Sequence, residues 1–116
     1  LFALYLVGDQ RPPTGDLEFW TTFLNQDTPV ITGMDKIARK YNFPVIFMAV
    51  KRLRRGYYEV TFEVISDNPS AESTFGIAEK YIRRVEKLIH SSPEYWLWSH
   101  KRFKYKAEKY KPVKLN

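Results

Sequence analysis

The sequence has no cysteine, and that absence removes disulfide frameworks, thiolate metal sites and cysteine nucleophiles. Its 5 glycines are scattered, so they assemble no glycine-rich loop of the kind that cradles a phosphate. Long apolar runs are lacking too. The longest, such as Val45 to Val50, are far too short to span a bilayer, so any membrane contact made by these residues is expected to be peripheral. Neither His90 nor His100 has a paired-histidine metal spacing, and no G-x-S-x-G elbow is present. No metal and no cofactor are expected. Acidic side chains run out towards the end of the chain: after Trp98 only Glu108 stands against seven Lys/Arg, whereas before it twelve cations meet twelve acids. The net charge of +6 therefore sits in the last eighteen residues. Such an end is commonly just solvated, yet it also suits nucleic-acid phosphates, anionic lipid or an acidic carrier protein.

What is present is enough for one domain. The chain has 116 residues, 44% of them hydrophobic, and no repeat or low-complexity tract divides it. Leu1–Val7 is an apolar run bounded by Gly8 and reads as a buried strand, an interior one of a larger sheet, so the chain is expected to be a piece of a longer protein. Pro12, Pro13 and Gly15 make the next stretch a loop. Thr28 before Pro29 reads as a helix start, with Val30, Met34, Ile37 and Tyr41 on one face; Thr32 with Asp35 offers a second start, and Asn42 and Pro44 end the helix. "PVIFMAV" and "YYEVTFEVI" read as antiparallel strands joined by the short connection "KRLRRG". A long helix is expected from about Ala71 to His90, with Phe75, Ala78, Ile82, Val85 and Ile89 on its apolar stripe, widened by Tyr81 and Leu88. The order of elements describes a small α/β layer.

Three stretches in order, "GDQRPP" at 8–13, "DTPVITGMDKIARKYNFPVIFMAV" at 27–50 and "PEYWLWSHKRFK" at 93–104, carry a specific resemblance. The chain resembles the C-terminal part of the lipid A biosynthesis acyltransferases, the lauroyl and myristoyl transferases within the wider glycerolipid acyltransferase group. The closing P-E-x-x-x-W-x-H-[RK]-R-x-K pattern is its most distinctive piece. The resemblance implies an α/β fold in which a mixed sheet is flanked by helices, with residues 1–106 as the C-terminal part of the acyltransferase domain and 107–116 as a basic tail. It also implies transfer of an acyl chain from an acyl carrier protein thioester to a hydroxyl of a lipid A precursor or related lipid, at the cytoplasmic face of the inner membrane of a Gram-negative bacterium. In that family the base is a histidine of an H-x4-[DE] motif. Position five after His90 is Tyr95 and after His100 is Tyr105, so neither histidine meets the pattern, and these residues alone are expected to be inactive, because an alcohol needs a positioned base to attack a thioester. Tyr95 stands where the family pattern carries glutamine, which leaves chain length and acceptor open.

The resemblance assigns supporting roles to what is here. Asp9 is the candidate for orienting a base or a neighbouring arginine, with capping of a strand end as the plain alternative. Gln10 and Arg11 are candidates for contact with the substrate phosphate. Thr28, Thr32 and Gly33 lie near a helix start, where free backbone N–H groups favour an anion, although capping is the favoured role for them. Phe43, Pro44, Val45, Ile46, Phe47 and Met48 match the block that lines the acyl pocket region, or simply the core. Lys51, Arg52, Arg54 and Arg55 form a cationic cluster suited to the acidic carrier protein or to lipid phosphates. Trp96 and Trp98 are candidates for packing or for anchoring at a headgroup layer, and His100, Arg102 and Lys104 are expected to lie exposed beside them and hold a phosphorylated glycolipid. Two other classes stay open at this point. One is a basic, aromatic nucleic-acid-binding module, for which no RNA-recognition or helix-turn-helix signature is present, so nucleic acid is not the expected partner. The other is a non-catalytic interaction domain.

Overall fold

The computed structural model describes residues 3–96 and 99–106. Four strands and two helices follow one another as β1 (Phe19–Phe23), β2 (Gln26–Val30), α1 (Gly33–Tyr41), β3 (Val45–Arg54), β4 (Tyr57–Ser66) and α2 (Gly76–Ser91), with short 3-10 turns at Pro69–Ala71 and Pro93–Tyr95. The expected α/β class holds. The described strands form two antiparallel pairs, β1 with β2 and β3 with β4.

The first pair was not anticipated in the sequence, and it overturns the helix start at Thr28. Leu24 and Asn25 both take left-handed backbone angles (φ 49° and 66°), the geometry of a two-residue hairpin turn whose twist matches its strands. The pairing runs from Phe19 opposite Val30 to Phe23 opposite Gln26. Thr28 and Pro29 are therefore strand residues, and the Thr28 hydroxyl donates to the Gln26 carbonyl at 2.8 Å. The second start is the one used: α1 begins after Thr32, whose hydroxyl donates to Asp16 Oδ1 at 3.0 Å instead of capping its own helix. Asn42 ends α1 in the left-handed conformation (φ 54°), its N–H closing on the Ala38 carbonyl. Asparagine tolerates that region better than most side chains.

β3 and β4 pair over nearly their whole length, from Val45 opposite Ser66 to Arg54 opposite Tyr57, and turn at Arg55–Gly56, where Gly56 has φ 80°. Their alternation divides the side chains between two faces. Phe47 and Ala49 point towards α2 and join Ala78, Ile82, Val85 and Ile89 in the core, together with Phe23 and Val30 from the first hairpin. Arg84 of α2 clasps Glu63 of β4 with two bonds of 2.5 and 2.8 Å. On the far side, Ile46, Met48, Val50, Val60, Phe62 and Val64 stay exposed.

The stripe read on α2 is the stripe that is buried, but the helix starts at Gly76 and not near Ala71. Phe75 breaks the run with a left-handed backbone (φ 62°) and stacks on Phe19 with ring centroids 5.2 Å apart. The start of α2 is capped from another helix: the buried Asp35 of α1 accepts the Ala78 N–H at 3.0 Å and pairs with Arg39 at 2.5 Å. A carboxylate is favoured there because unpaired N–H groups and the helix dipole both attract it. The strand expected at Leu1–Val7 is not formed over residues 3–7. Residues 3–7 are irregular, with Leu4, Tyr5, Leu6 and Val7 exposed, and among the described residues they pair with no strand. Leu1 and Phe2 lie outside the described residues.

Asp35 thus joins both helices from a position with no access to water. Asp35→Ala is expected to cost roughly 3 kcal/mol of folding free energy, since it strands both Arg39 and the Ala78 N–H. The shift of the urea midpoint reads this directly. Lys36→Ala, whose partner Glu18 is likewise at the surface, is expected to leave the midpoint in place.

Candidate functional site

Two stretches about ninety residues apart in sequence meet on one side of the core. The loop following Val7 runs past the buried Gly8, where an added Cβ would come within 3.2 Å of the Tyr81 ring. The closing stretch lies against this loop and is fastened to it by a series of bonds. The Arg11 N–H donates to His100 Nε2 at 3.3 Å, and Arg11 Nη1 donates to the Lys101 carbonyl at 2.9 Å. Arg102 Nε donates to the Asp9 carbonyl at 3.0 Å and Nη2 to the Pro29 carbonyl at 2.8 Å. Further on, the Thr14 and Tyr105 hydroxyls are 3.1 Å apart.

Arg102 is the centre of this arrangement. It is 2% exposed, and its guanidinium lies 5.5 Å from the centroid of the Phe23 ring. Burial pulls it down to about 10, against the opposing pull of the Asp9 carboxylate and Tyr81, so it keeps its charge at neutral pH. The expectation that it lies exposed in a cationic tail is corrected: its carbonyl partners in two separate segments draw it inside, as a planar fork with five donors can be satisfied where a lysine cannot. Asp9 Oδ1 and Arg102 Nη1 are both buried with no hydrogen-bond partner among the described residues. Beside them, burial and then the Asp9 charge push the Tyr81 hydroxyl up to about 12.

The structure therefore brings together Asp9, Arg11, His100 and Arg102, with Gln10 exposed next to them. His100 uses Nε2 to accept the Arg11 backbone N–H, so one of its two ring nitrogens is engaged in holding the loop. Lys104 is exposed as expected, with Nζ 5.9 Å from the Tyr105 ring centroid. Arg52, Arg54 and Arg55 are exposed at the end of the β3–β4 hairpin, Arg52 over Tyr95 at 6.0 Å and Arg54 over Tyr57 at 4.1 Å. Trp96 packs edge-on against Phe23 with centroids 6.0 Å apart, which assigns that tryptophan to packing; Trp98 and residues 107–116 lie outside the described residues. Of the block expected to line an acyl pocket, Phe43, Pro44, Val45 and Ile46 border an open apolar cleft of about 720 Å³, lined also by Leu4, Leu6, Met34 and Ile37. Phe47 lies in the core and Met48 on the outer sheet face. Tyr81 was read only as a widening of the α2 stripe, and nothing in its spacing marks it as the neighbour of Asp9.

The residues that fasten the loop to the closing stretch are those of "GDQR" and "HKR", and the chain matches the bacterial lipid A biosynthesis acyltransferase family over residues 3–105. It belongs to that family. Comparison with curated proteins and with solved structures gave no match. Family membership gives the arrangement its setting, acyl transfer in lipid A biosynthesis. No helix among the described residues is long and apolar enough to cross a membrane.

Two measurements follow from the geometry. Arg102→Ala removes two bonds to buried carbonyls and the positive charge near Asp9, and is expected to cost roughly 3 kcal/mol, whereas Lys104→Ala is expected to leave the thermal midpoint nearly unchanged; calorimetry on the two variants separates a buried clamp from a solvated tail. Tyr81 gives a pH dependence. Its folded-state value lies above the ordinary tyrosine value of 10.0, so its contribution is complete below pH 10 and is lost as pH rises towards 12. Over that window the parent is expected to lose about 2 to 3 kcal/mol more than Tyr81→Phe, as measured by urea titration at each pH.

Proposed function

We propose that these residues form the acyl-cleft and acceptor side of an enzyme that moves an acyl chain from an acyl carrier protein thioester to a hydroxyl of a lipid A precursor or related lipid, in peripheral contact with the cytoplasmic face of a bacterial inner membrane. The observation that carries the reading is the convergence of the two most family-specific stretches: Asp9 and Arg11 meet His100 and Arg102 across about ninety residues of intervening chain. Asp9 then serves as a fixed carboxylate, its backbone held by Arg102, and Gln10 and Arg11 lie at the loop surface where an acceptor phosphate can be met by charge-assisted hydrogen bonds. His100, whose Nε2 is already engaged, and Lys104 add donors along the same side. The cleft beside Phe43 and Ile46 has a volume within the range of ligand pockets and an apolar lining suited to a hydrocarbon chain. Proton removal from the acceptor hydroxyl is assigned outside the 116 residues, which contain no His-x4-Asp/Glu pair.

The chain incubated with acyl carrier thioester and phosphorylated disaccharide lipid is expected to leave the thioester intact, as read by mass spectrometry. Robust product formation would place the base among these residues and overturn that assignment. The chain is also expected to take up a fluorescent long-chain acyl probe. Ile37→Trp narrows the cleft, and is expected to weaken the probe by roughly tenfold or more with the far-UV spectrum preserved. Unchanged probe affinity would remove the cleft from the reading.

A further inference from the structure

The residue before Asp9 has no side chain to hold it. Gly8 is buried, and a Cβ there would lie 3.2 Å from Cε1 of Tyr81 and 3.7 Å from its hydroxyl. A glycine explores more backbone angles than any other residue, so a carboxylate directly after one is fixed only where outside contacts remove that freedom. The carboxylate's own bonds do not remove it, since Asp9 Oδ1 is buried with no hydrogen-bond partner among the described residues. Its placement comes from the backbone. The Asp9 carbonyl accepts from Arg102 Nε at 3.0 Å, and at the other end of the same two residues the Gly8 N–H donates to the Tyr81 hydroxyl. Gly8 and Asp9 are thus gripped at both ends, by the closing stretch on one side and by α2 on the other.

Tyr81 suits its half of the grip. Its ring packs against Phe47 with centroids 5.7 Å apart, which holds the ring in the core and leaves the hydroxyl at the loop. Phenylalanine would fill the same space without bringing a polar group into it, and burying a hydroxyl costs free energy unless a bond offsets the loss of water. The Gly8 N–H supplies that bond, so what the hydroxyl adds over a plain ring is a fixed course for the loop. Burial and the Asp9 charge push it up to about 12, so at neutral pH it accepts from Gly8 without placing a second negative charge beside Asp9. We propose that Tyr81 is a positioning residue for the acyl transfer, its hydroxyl holding the Asp9 carboxylate in place through the Gly8 N–H, with Arg102 as the counterpart on the far side of Asp9. The proposal rests on the role given to Asp9 above and extends it to a residue of α2. Tyr81 acts through Asp9 and meets no reacting atom itself, which sets the form of the test.

Amide exchange on the 116-residue chain tests the grip itself. Tyr81→Phe is expected to speed exchange at the Gly8 amide by roughly tenfold or more, while the amides of α2 keep their protection; unchanged exchange at Gly8 overturns the proposal. In the enzyme that carries these residues together with its base, Tyr81→Phe is expected to lower kcat for transfer from the acyl carrier thioester by roughly tenfold, with KM within about twofold of the parent. Val85→Ala thins the buried stripe of the same helix and controls for lost stability. It is expected to keep the parent kcat at a temperature where circular dichroism shows it folded, and a loss equal to that of Tyr81→Phe makes the effect one of folding and overturns the proposal. A double-mutant cycle shows whether the path runs through Asp9. On top of Asp9→Asn, Tyr81→Phe is expected to lower kcat further by less than about twofold; a further loss as large as in the parent background shows that Tyr81 acts by another route, and the proposal falls. Asp9→Asn turning over like the parent removes the role given to Asp9 and the positioning with it, whereas a slow Asp9→Asn beside a Tyr81→Phe of parent rate leaves the role of Asp9 standing and sinks the positioning alone. If Tyr81→Phe does not fold, Gly8→Ala, which presses a methyl group on the same ring, takes its place and is expected to show the same loss of kcat and the same non-additivity with Asp9→Asn.

Discussion

A guanidinium taken out of water has to find fixed acceptors, and Arg102 finds them in two places that the chain would otherwise leave unconnected. One fork nitrogen reaches the Asp9 carbonyl and another the Pro29 carbonyl, so the closing stretch, the loop after Val7 and the end of β2 are held as a unit. The Phe23 ring beneath the cation belongs to the core, where Trp96 and Phe103 press on it from the same closing stretch. Charge, hydrogen bonding and apolar packing thus act through one side chain. Its removal leaves the two buried carbonyls of Asp9 and Pro29 without their donor, and that asymmetry is what makes buried polar groups costly to disturb. Everything assigned to the site depends on this fastening, since Asp9, Arg11 and His100 acquire their mutual placement from it.

The second constraint is the carboxylate of Asp35, which connects the helices as Arg102 connects the loops. It sits at the start of α2 in a place where a serine or threonine from the preceding turn would be the ordinary cap. Here Phe75 occupies that position in a left-handed conformation and supplies no acceptor. The cap is therefore borrowed from α1, and α1 and α2 cannot separate without exposing the Ala78 N–H it satisfies. This fixes the inner face of β3 as well, because Phe47 and Ala49 pack on the stripe that α2 presents. The hairpin is thereby oriented with its other face outward.

Periodicity made α2, β3, β4 and the turn between them legible, because each alternates or repeats with the spacing its element requires. Ala78, Ile82, Val85 and Ile89 are buried as read, and "KRLRRG" is a hairpin connection. The β1–β2 pair was opaque for a physical reason: its turn uses Leu24 and Asn25 in left-handed angles without a glycine, and its second strand contains Pro29. Both are signals that ordinarily argue against a hairpin. Residues 3–7 are apolar enough for a strand yet pair with none among the described residues, since pairing depends on the surroundings as well as on the run. At the site, the residue types were legible and their depth was not. "HKRFK" reads as a solvated cationic end, and only the two carbonyls that meet Arg102 show that one of its cations is structural while Lys104 beside it remains in water.

That division within a single short motif bears on how charge is used across the chain. Cations that hold the fold together are buried or chelated: Arg102 by carbonyls, Arg39 by Asp35, Arg84 by Glu63. Cations at the end of the β3–β4 hairpin are exposed and face aromatic rings without a carboxylate contact, Arg54 over Tyr57 and Arg52 over Tyr95. A guanidinium held over a ring keeps its outward N–H groups available and its position restricted, so meeting an anion there costs less ordering than it would for a free side chain. The same residue type therefore performs two tasks, and what separates them is whether the partner lies within the chain or outside it.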